Sequence, residues 1–149
     1  MNLYEAHLPV ADVERSREFY EGVVGLTFAY RDPKRDIVFL YIGEDRSSML
    51  GLWGPETEYG EFHRMHFAIA MTLAELTAEA ERLKQLKIAT YDFNGNETSE
   101  PSVIGWMPSA QLYFHDPDGH LVEFIALLDD PPDASFIGPL SLWKQRHPT

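Results

Sequence analysis

The sequence of 149 residues contains no cysteine. Disulfide bonds, thiolate nucleophiles and thiolate-bound zinc are therefore excluded together, and the composition is compatible with a reducing cytoplasm. There is also no apolar run of about 18 residues, and the first residues lack a basic region followed by an apolar stretch. We therefore expect a soluble cytoplasmic protein without a membrane-spanning segment.

Positive charge is scarce as well. The chain has 12 lysine and arginine residues against 24 acidic ones, which gives a net charge of −12. A surface of this sign repels nucleic-acid phosphates and favours cationic ligands. The apolar content of 44 %, with 13 % aromatic residues, is enough for a hydrophobic core. At this length the chain fits one compact domain over residues 1–149.

The clearest local pattern lies in the segment LYFHDPDGHLVEFIALL, residues 112–128. Its DPDG sequence is typical of a tight turn, because proline fixes φ and glycine accepts a positive φ. The strand predicted after this turn is apolar except for Glu123. A buried and unpaired carboxylate costs several kcal/mol. Glu123 therefore either faces solvent or has a cation or metal partner.

The same order of elements occurs twice along the chain. Alternating strands, a capped helix and further strands are predicted over about residues 3–54 and again over about residues 63–128. The second copy includes a predicted strand at residues 88–93 and a helix that starts with the capping box Thr72-x-x-Glu75. An internal repeat of this length predicts an α+β fold of two βαβββ modules packed side by side, with mixed sheets curled around a cleft.

A C-terminal extension, residues 129–149, follows the second module. Its residues 137–143 are apolar enough to pack on the body of the protein or on a partner.

The helix end SREFYEGVVG, the repeated order of elements and the closing YFHDPDGHLVEF resemble the vicinal oxygen chelate superfamily. That superfamily includes glyoxalase I, extradiol dioxygenases, thiol transferases and bleomycin-resistance proteins. The resemblance extends over roughly residues 3–128, and it implies the same two-module fold. It implies less about the reaction, because one scaffold carries many chemistries.

The resemblance also implies a divalent metal ion, held by the first and last strands of each module. By position, the second module offers His66 and Glu123. In the first module Glu5 replaces the usual histidine, and His7 follows on the same strand face, so either could be the ligand. Gly51 stands where glyoxalase I has a glutamate. Such a set suits Mn²⁺, Fe²⁺, Zn²⁺ or Ni²⁺, and the sequence does not choose among them.

Further site residues follow from the same resemblance. Tyr113 precedes DPDG as a catalytic tyrosine does in extradiol enzymes, although the upstream histidine of those enzymes is missing. The segment after Glu123, IALLDDPPDA, has no basic residue to hold a phosphonate. Glu5 could serve as a general base if His7 takes the metal. Four side chains are predicted to line an apolar pocket: Trp53, Phe93, Trp106 and Met107.

These patterns predict a metal-dependent enzyme with glyoxalase-like lyase or isomerase chemistry on a small oxygen-bearing molecule. One alternative is a metal-free protein that binds a drug of the bleomycin type, which the acidic charge favours. A second is a domain that serves mainly as an interaction module. The resemblance implies a homodimer, and no nucleic-acid or membrane partner is expected. His63, His115 and His120 are assigned to loops or turns.

Overall fold

The structure, a computed structural model, describes residues 3–57 and 62–148. The chain divides into two compact units, Met1–Met65 with Asp116–His120, and His66–His115 with Leu121–Thr149. The first unit contains a mixed sheet of four strands and the second a mixed sheet of five. The α+β fold with two mixed sheets is therefore confirmed. Among the described residues, no helix is long and apolar enough to cross a membrane.

The sheet of the first unit has the strand order β1-β4-β3-β2. β1 and β4 are parallel, and the other neighbours are antiparallel. The strands are β1 (Glu5–Pro9), β2 (Thr27–Arg31), β3 (Ile37–Ile42) and β4 (Ser48–Trp53).

Helix α1 (Val13–Phe19) covers one face of this sheet. It begins at Asp12, whose side chain accepts a hydrogen bond from a backbone N–H of the first turn, and it continues as a π-helical turn over Tyr20–Val24. Gly25 ends the turn with φ of 82°, a conformation that glycine adopts without steric cost. The sheet buries a row of apolar side chains on this face: Leu8, Val38, Leu40, Leu50 and Leu52.

The sheet of the second unit has the order β5-β8-β7-β6-β9. Helix α2 (Leu73–Gln85) starts with the predicted capping box, in which the side chains and backbone N–H groups of Thr72 and Glu75 bond reciprocally. The strands are β5 (His66–Ala70), β6 (Ser102–Ile104), β7 (Ser109–His115), β8 (Leu121–Leu127) and β9 (Ile137–Pro139).

The prediction of a strand at residues 88–93 was wrong. In this segment only Tyr91 makes isolated bridges, to Glu97 and Tyr113. The hydroxyl of Thr90 donates to the carbonyl of Thr98, and Asp92 accepts hydrogen bonds from the backbone that follows it, so the chain closes into a loop. β6 takes the place beside β7 instead, where its three residues are buried and paired on both edges.

The C-terminal residues 137–143 pack on the second unit itself. β9 pairs antiparallel with β6. Helix α3 (Leu140–Arg146) follows, and its Trp143 is 1 % exposed. The indole ring of Trp143 contacts the ring of Phe136 edge-on, and its N–H donates to Asp130. Residues 137–143 were predicted to pack either on the body of the protein or on a partner, and the structure shows them packed on the body.

Candidate functional site

His66 and Glu123 lie together in the second unit. β5 and β8 are parallel neighbours in which Ala68 pairs with Glu123, so that His66 lies diagonally opposite the carboxylate on the same sheet face. Nε2 of His66 is 2.9 Å from Oε2 of Glu123. Glu123 is only 7 % exposed. Glu123 therefore does not face solvent, and the partner that the structure shows is the imidazole of His66.

Tyr113 approaches the same carboxylate from the other side. It pairs with Glu123 across the antiparallel strands β7 and β8, so the two side chains lie side by side on one face of the sheet. Burial and the negative charge of Glu123 raise the pKa of Tyr113 above its usual range. The phenol therefore keeps its proton at neutral pH. The rings of His66 and Tyr113 lie with their centroids 6.1 Å apart.

His66 and Tyr113 open onto a pocket of about 550 Å³ within the second unit. Phe93, one of the predicted pocket residues, lines it. The remaining lining residues are Tyr91, Asp92, Gly95, His115 and Leu121.

The sequence contained a signal for one of these unexpected residues. His115 follows Tyr113 by two positions, so period-two alternation places both on one face of β7. Because His115 was assigned to the turn, its position on the same strand face as Tyr113 was not predicted. Tyr91 had no comparable signal, because it lies in the loop that was predicted to be a strand.

Trp106 and Met107 lie elsewhere in this unit. They occupy the turn between β6 and β7, and Trp106 is 64 % exposed. Neither belongs to the lining of the pocket around His66. That turn precedes β7, whereas His115 lies at the other end of the strand.

Glu5 and His7 form a second carboxylate–imidazole pair, in the first unit. They lie on the face of β1 that points away from α1, and Oε1 of Glu5 is in direct contact with Nε2 of His7. The imidazole also stacks on Trp53, with 5.0 Å between ring centroids and 27° between ring planes. The carboxylate and the indole together fix the orientation of the imidazole.

Gly51 explains how this pair is accommodated. It lies between His7 on β1 and Phe39 on β3, paired with both. A β-carbon at this position would be 3.1 Å from the ring of Phe39 and from Nε1 of Trp53, and 3.2 Å from Cδ2 of His7. The rings of His7 and Phe39 meet edge-on across the glycine. A side chain here would be packed more tightly than is usual and would need these rings to shift by a few tenths of an ångström, and glycine itself supplies no ligand.

A third group of chemically suitable side chains lies in the turn 116–120. Ligand atoms of Asp116, Asp118 and His120 are all within 4.8 Å of one another. His120 is fully buried, however, and both ring nitrogens are already bonded. Nε2 is 2.7 Å from the carbonyl oxygen of Pro9, and Nδ1 accepts from the backbone N–H of Met65 at 2.9 Å. A metal ion on His120 would have to break one of these buried hydrogen bonds.

The two aspartates of this turn are also engaged. Asp116 accepts a 2.9 Å hydrogen bond from the hydroxyl of Tyr20, and its other oxygen accepts from backbone N–H groups of the turn. Asp118 accepts from three groups near the start of α1: the N–H of Ala11, the hydroxyl of Ser16 and the guanidinium of Arg15. The cluster therefore has a complete structural explanation as a set of turn and cap interactions.

The pair His66–Glu123 fits a divalent ion better. Two ligand atoms that are each about 2.0–2.2 Å from an ion, at a right angle, are roughly 3 Å apart. The 2.9 Å between Nε2 and Oε2 is a normal hydrogen-bond distance and is also compatible with that separation. Imidazole nitrogen and carboxylate oxygen are common ligands of the first-row divalent metals. The donor atoms of this pair therefore suit the group that the sequence predicts.

Comparison with known proteins agrees with this fold. The family model described as Glyoxalase/Bleomycin resistance protein/Dioxygenase superfamily matches residues 3–124. A lactoylglutathione lyase of Haemophilus influenzae is 28 % identical over 134 residues, which cover 84 % of this chain and 92 % of that protein.

Solved structures give the same result. An integron cassette protein from the mobile metagenome of the Halifax Harbour sewage outfall has a TM-score of 0.72 at 26 % identity, covering 85 % of this chain and 98 % of the other. A lactoylglutathione lyase of Agrobacterium tumefaciens has a TM-score of 0.66 at 23 % identity, covering 84 % and 92 %. At the latter identity the likeness concerns the fold alone.

Proposed function

Because the chain belongs to the glyoxalase/bleomycin resistance protein/dioxygenase superfamily, we propose that it is a divalent-metal-dependent enzyme acting on a small oxygen-bearing molecule. Glyoxalase-like lyase or isomerase chemistry is the class that we favour. The observation that carries the proposal is the buried carboxylate of Glu123, 2.9 Å from Nε2 of His66. The relative named as a lactoylglutathione lyase supports the choice of class.

In this proposal His66 and Glu123 hold the ion. When bound, a divalent ion acts as a Lewis acid toward the oxygen atoms of the substrate. That Glu5 or His7 also binds it, and that Glu5 serves as the general base, stay predictions from the sequence.

Tyr113 has a role that its own environment suggests. Its raised pKa keeps the hydroxyl protonated, and its position directly beside Glu123 across β7 and β8 makes it a hydrogen-bond donor within reach of the carboxylate. We therefore assign it to positioning Glu123, as an outer partner of the ligand. Removing the hydroxyl in Tyr113→Phe is expected to weaken metal affinity by about 10- to 100-fold, which is typical of such partners.

Elemental analysis of untagged protein tests the proposal, after dialysis against single divalent metals and then against metal-free buffer. We expect about one retained equivalent per chain. The variants Glu123→Gln and His66→Ala should lose it. Glu79→Gln is a matched control, because that carboxylate also has one side-chain partner, Arg82, but lies on α2. Retention of tightly bound metal by Glu123→Gln would overturn the assignment.

The same measurement distinguishes the two residues of β1. Glu5→Gln and His7→Gln remove one donor each while preserving most of the side-chain volume. The variant that loses metal identifies the first-unit ligand. Metal retention by both variants would remove the first unit from the ligand set.

One observation favours a second function, the metal-free binding of a cationic aromatic molecule. Rings line the pocket of the second unit, and the chain carries a net charge of −12. Such binding would weaken as salt screens the charges. A protein that retains none of the metals but binds a cationic aromatic dye at low ionic strength, and releases it at high ionic strength, would favour this function over the enzyme.

A further inference from the structure

The walls of the pocket in the second unit are mainly aromatic. Five of its eight lining residues carry rings: His66, Tyr91, Phe93, Tyr113 and His115. The centroids of Tyr91 and His115 are 5.7 Å apart, and their planes are tilted by 60°. Those of His66 and Tyr113 are 6.1 Å apart with the same tilt. Walls of this kind suit a flat ring, because aromatic groups favour edge-to-face and offset contacts.

Phe93 is the most exposed apolar ring in this lining. It is 49 % exposed although the loop that carries it is well fixed. Asp92 accepts hydrogen bonds of 2.8 Å from the N–H groups of Asn94 and Asn96, and the N–H of Phe93 donates to the hydroxyl of Ser102. An apolar ring held at the edge of a pocket, without full burial by its own chain, is a surface on which a ligand can pack.

Apart from the proposed metal ion, the lining offers no lysine or arginine as a counter-ion for an anion. None of the eight residues is a lysine or an arginine. The carboxylate of Asp92 is the only one among them, and hydrogen bonds from Asn96 and neighbouring N–H groups lower its pKa, so it stays ionised. A ligand carboxylate or phosphate that does not reach the proposed metal ion would lose hydration here without gaining a lysine or arginine partner, which is unfavourable.

The volume also exceeds what a three-carbon compound needs. At about 550 Å³ the pocket lies within the range of about 300–1,000 Å³ that is typical of sites for larger organic ligands. A ring attached to the oxygen-bearing part of a ligand would fill the remaining space.

From these observations we propose that the pocket selects ligands that carry an aromatic ring beside their metal-binding oxygen atoms and bear no negative charge elsewhere. Phe93 is the specificity-determining residue. A glutathione conjugate, which carries carboxylates, is then a poor ligand, although a relative of this chain is named for one. This inference rests on the proposed function for the role of the pocket as a substrate site, and its ring preference is measured by binding alone.

The test compares three probes by isothermal titration with both the metal-free and the metal-dialysed protein. The probes are 2-hydroxyacetophenone, with a ring and two neighbouring oxygens, hydroxyacetone, with the same oxygens and no ring, and S-lactoylglutathione, which is anionic. We expect the aromatic probe to bind at least about tenfold more tightly than either of the others.

Phe93→Ala should weaken binding of the aromatic probe by about tenfold and leave hydroxyacetone unchanged. Trp106→Ala is the matched control, because it removes an exposed ring outside this pocket. Both side chains are exposed, so both variants are expected to fold.

Equal affinities for the three probes, preference for the anion, or an unchanged affinity in Phe93→Ala would overturn the inference. So would the failure of every probe to bind either form of the protein. If the protein retains no metal but the ring preference is observed, the proposed enzyme fails and the inference on ligand class stands. If metal is retained without a ring preference, the inference on ligand class fails and the proposed enzyme stands.

Discussion

Gly51 lies directly beside His7 in the parallel pair of β1 and β4, and a β-carbon added to Gly51 would come within 3.2 Å of Cδ2 of His7. The rings of His7 and Phe39, on strands at either side of β4, meet across this glycine. A side chain at position 51 would therefore require the surrounding rings to move. Glycine supplies no carboxylate at the position where glyoxalase I has one.

Gly51→Ala should lower the free energy of unfolding by about 1–3 kcal/mol, because the added methyl overpacks three rings. Gly51→Glu should lower it further and should not increase the metal stoichiometry. Gly22→Ala is the control, since nothing lies within 4 Å of a β-carbon at that helical position. Urea denaturation and elemental analysis measure the two effects. A Gly51→Glu protein of normal stability with more bound metal would contradict the packing argument.

The turn cluster at residues 116–120 is expected to be structural. Asp118→Asn should retain the same metal content as the unchanged protein, because both ring nitrogens of His120 are bonded to backbone groups. The unfolding temperature should fall slightly as the ion pair with Arg15 is lost. Loss of metal in Asp118→Asn, together with retention in Glu123→Gln, would transfer the metal site to this cluster.

The C-terminal helix should contribute strongly to stability. Trp143→Ala is expected to cost about 3–5 kcal/mol, because it empties a space in which the indole is 1 % exposed. Leu142→Ala, at a neighbouring position that is 48 % exposed, should cost less than about 1 kcal/mol. Urea denaturation of the two variants gives the comparison. Equal stabilities would mean that residues 137–143 do not pack on the second unit in solution.

The hydrogen bond between Tyr20 and Asp116 predicts a loss of stability at alkaline pH. Burial, and then the negative charge of Asp116, raise the pKa of Tyr20. The folded state therefore holds this proton more tightly than the unfolded chain, in which the pKa of tyrosine is about 10. The resulting stabilisation is complete below about pH 10 and is lost as the pH rises toward the folded-state pKa.

Tyr20→Phe tests this. At neutral pH it should be less stable by about 1.5–3 kcal/mol, because a hydrogen bond to a charged group is lost. Between pH 8 and 12 its unfolding temperature should fall less steeply than that of the unchanged protein. Tyr113, which also has a raised pKa, is present in both proteins, so the difference isolates Tyr20. Parallel curves would show that Tyr20 does not titrate differently on folding.

Strands and helix ends were predictable where the pattern that defines them involves only residues close together in the sequence. Strands and a helix were predicted over about residues 3–54, and the structure has β1, α1, β2, β3 and β4 there. The pair Thr72 and Glu75 predicted the start of α2, because a capping box forms within one turn of helix. The same method failed at residues 88–93, where Tyr91 makes only an isolated bridge to β7 and β6 pairs with that strand instead.

The candidate site, too, was predictable from the sequence only in part. The sequence by itself determined that His66 and Glu123 lie on predicted strands, with period two setting the faces that they share with their neighbours. Only the tertiary structure decided that the two side chains meet, because residues 57 positions apart are brought together by the pairing register of β5 and β8. It alone also placed Tyr91 and Phe93 beside them, since the path of a loop depends on hydrogen bonds such as those of Asp92, which no periodic pattern records.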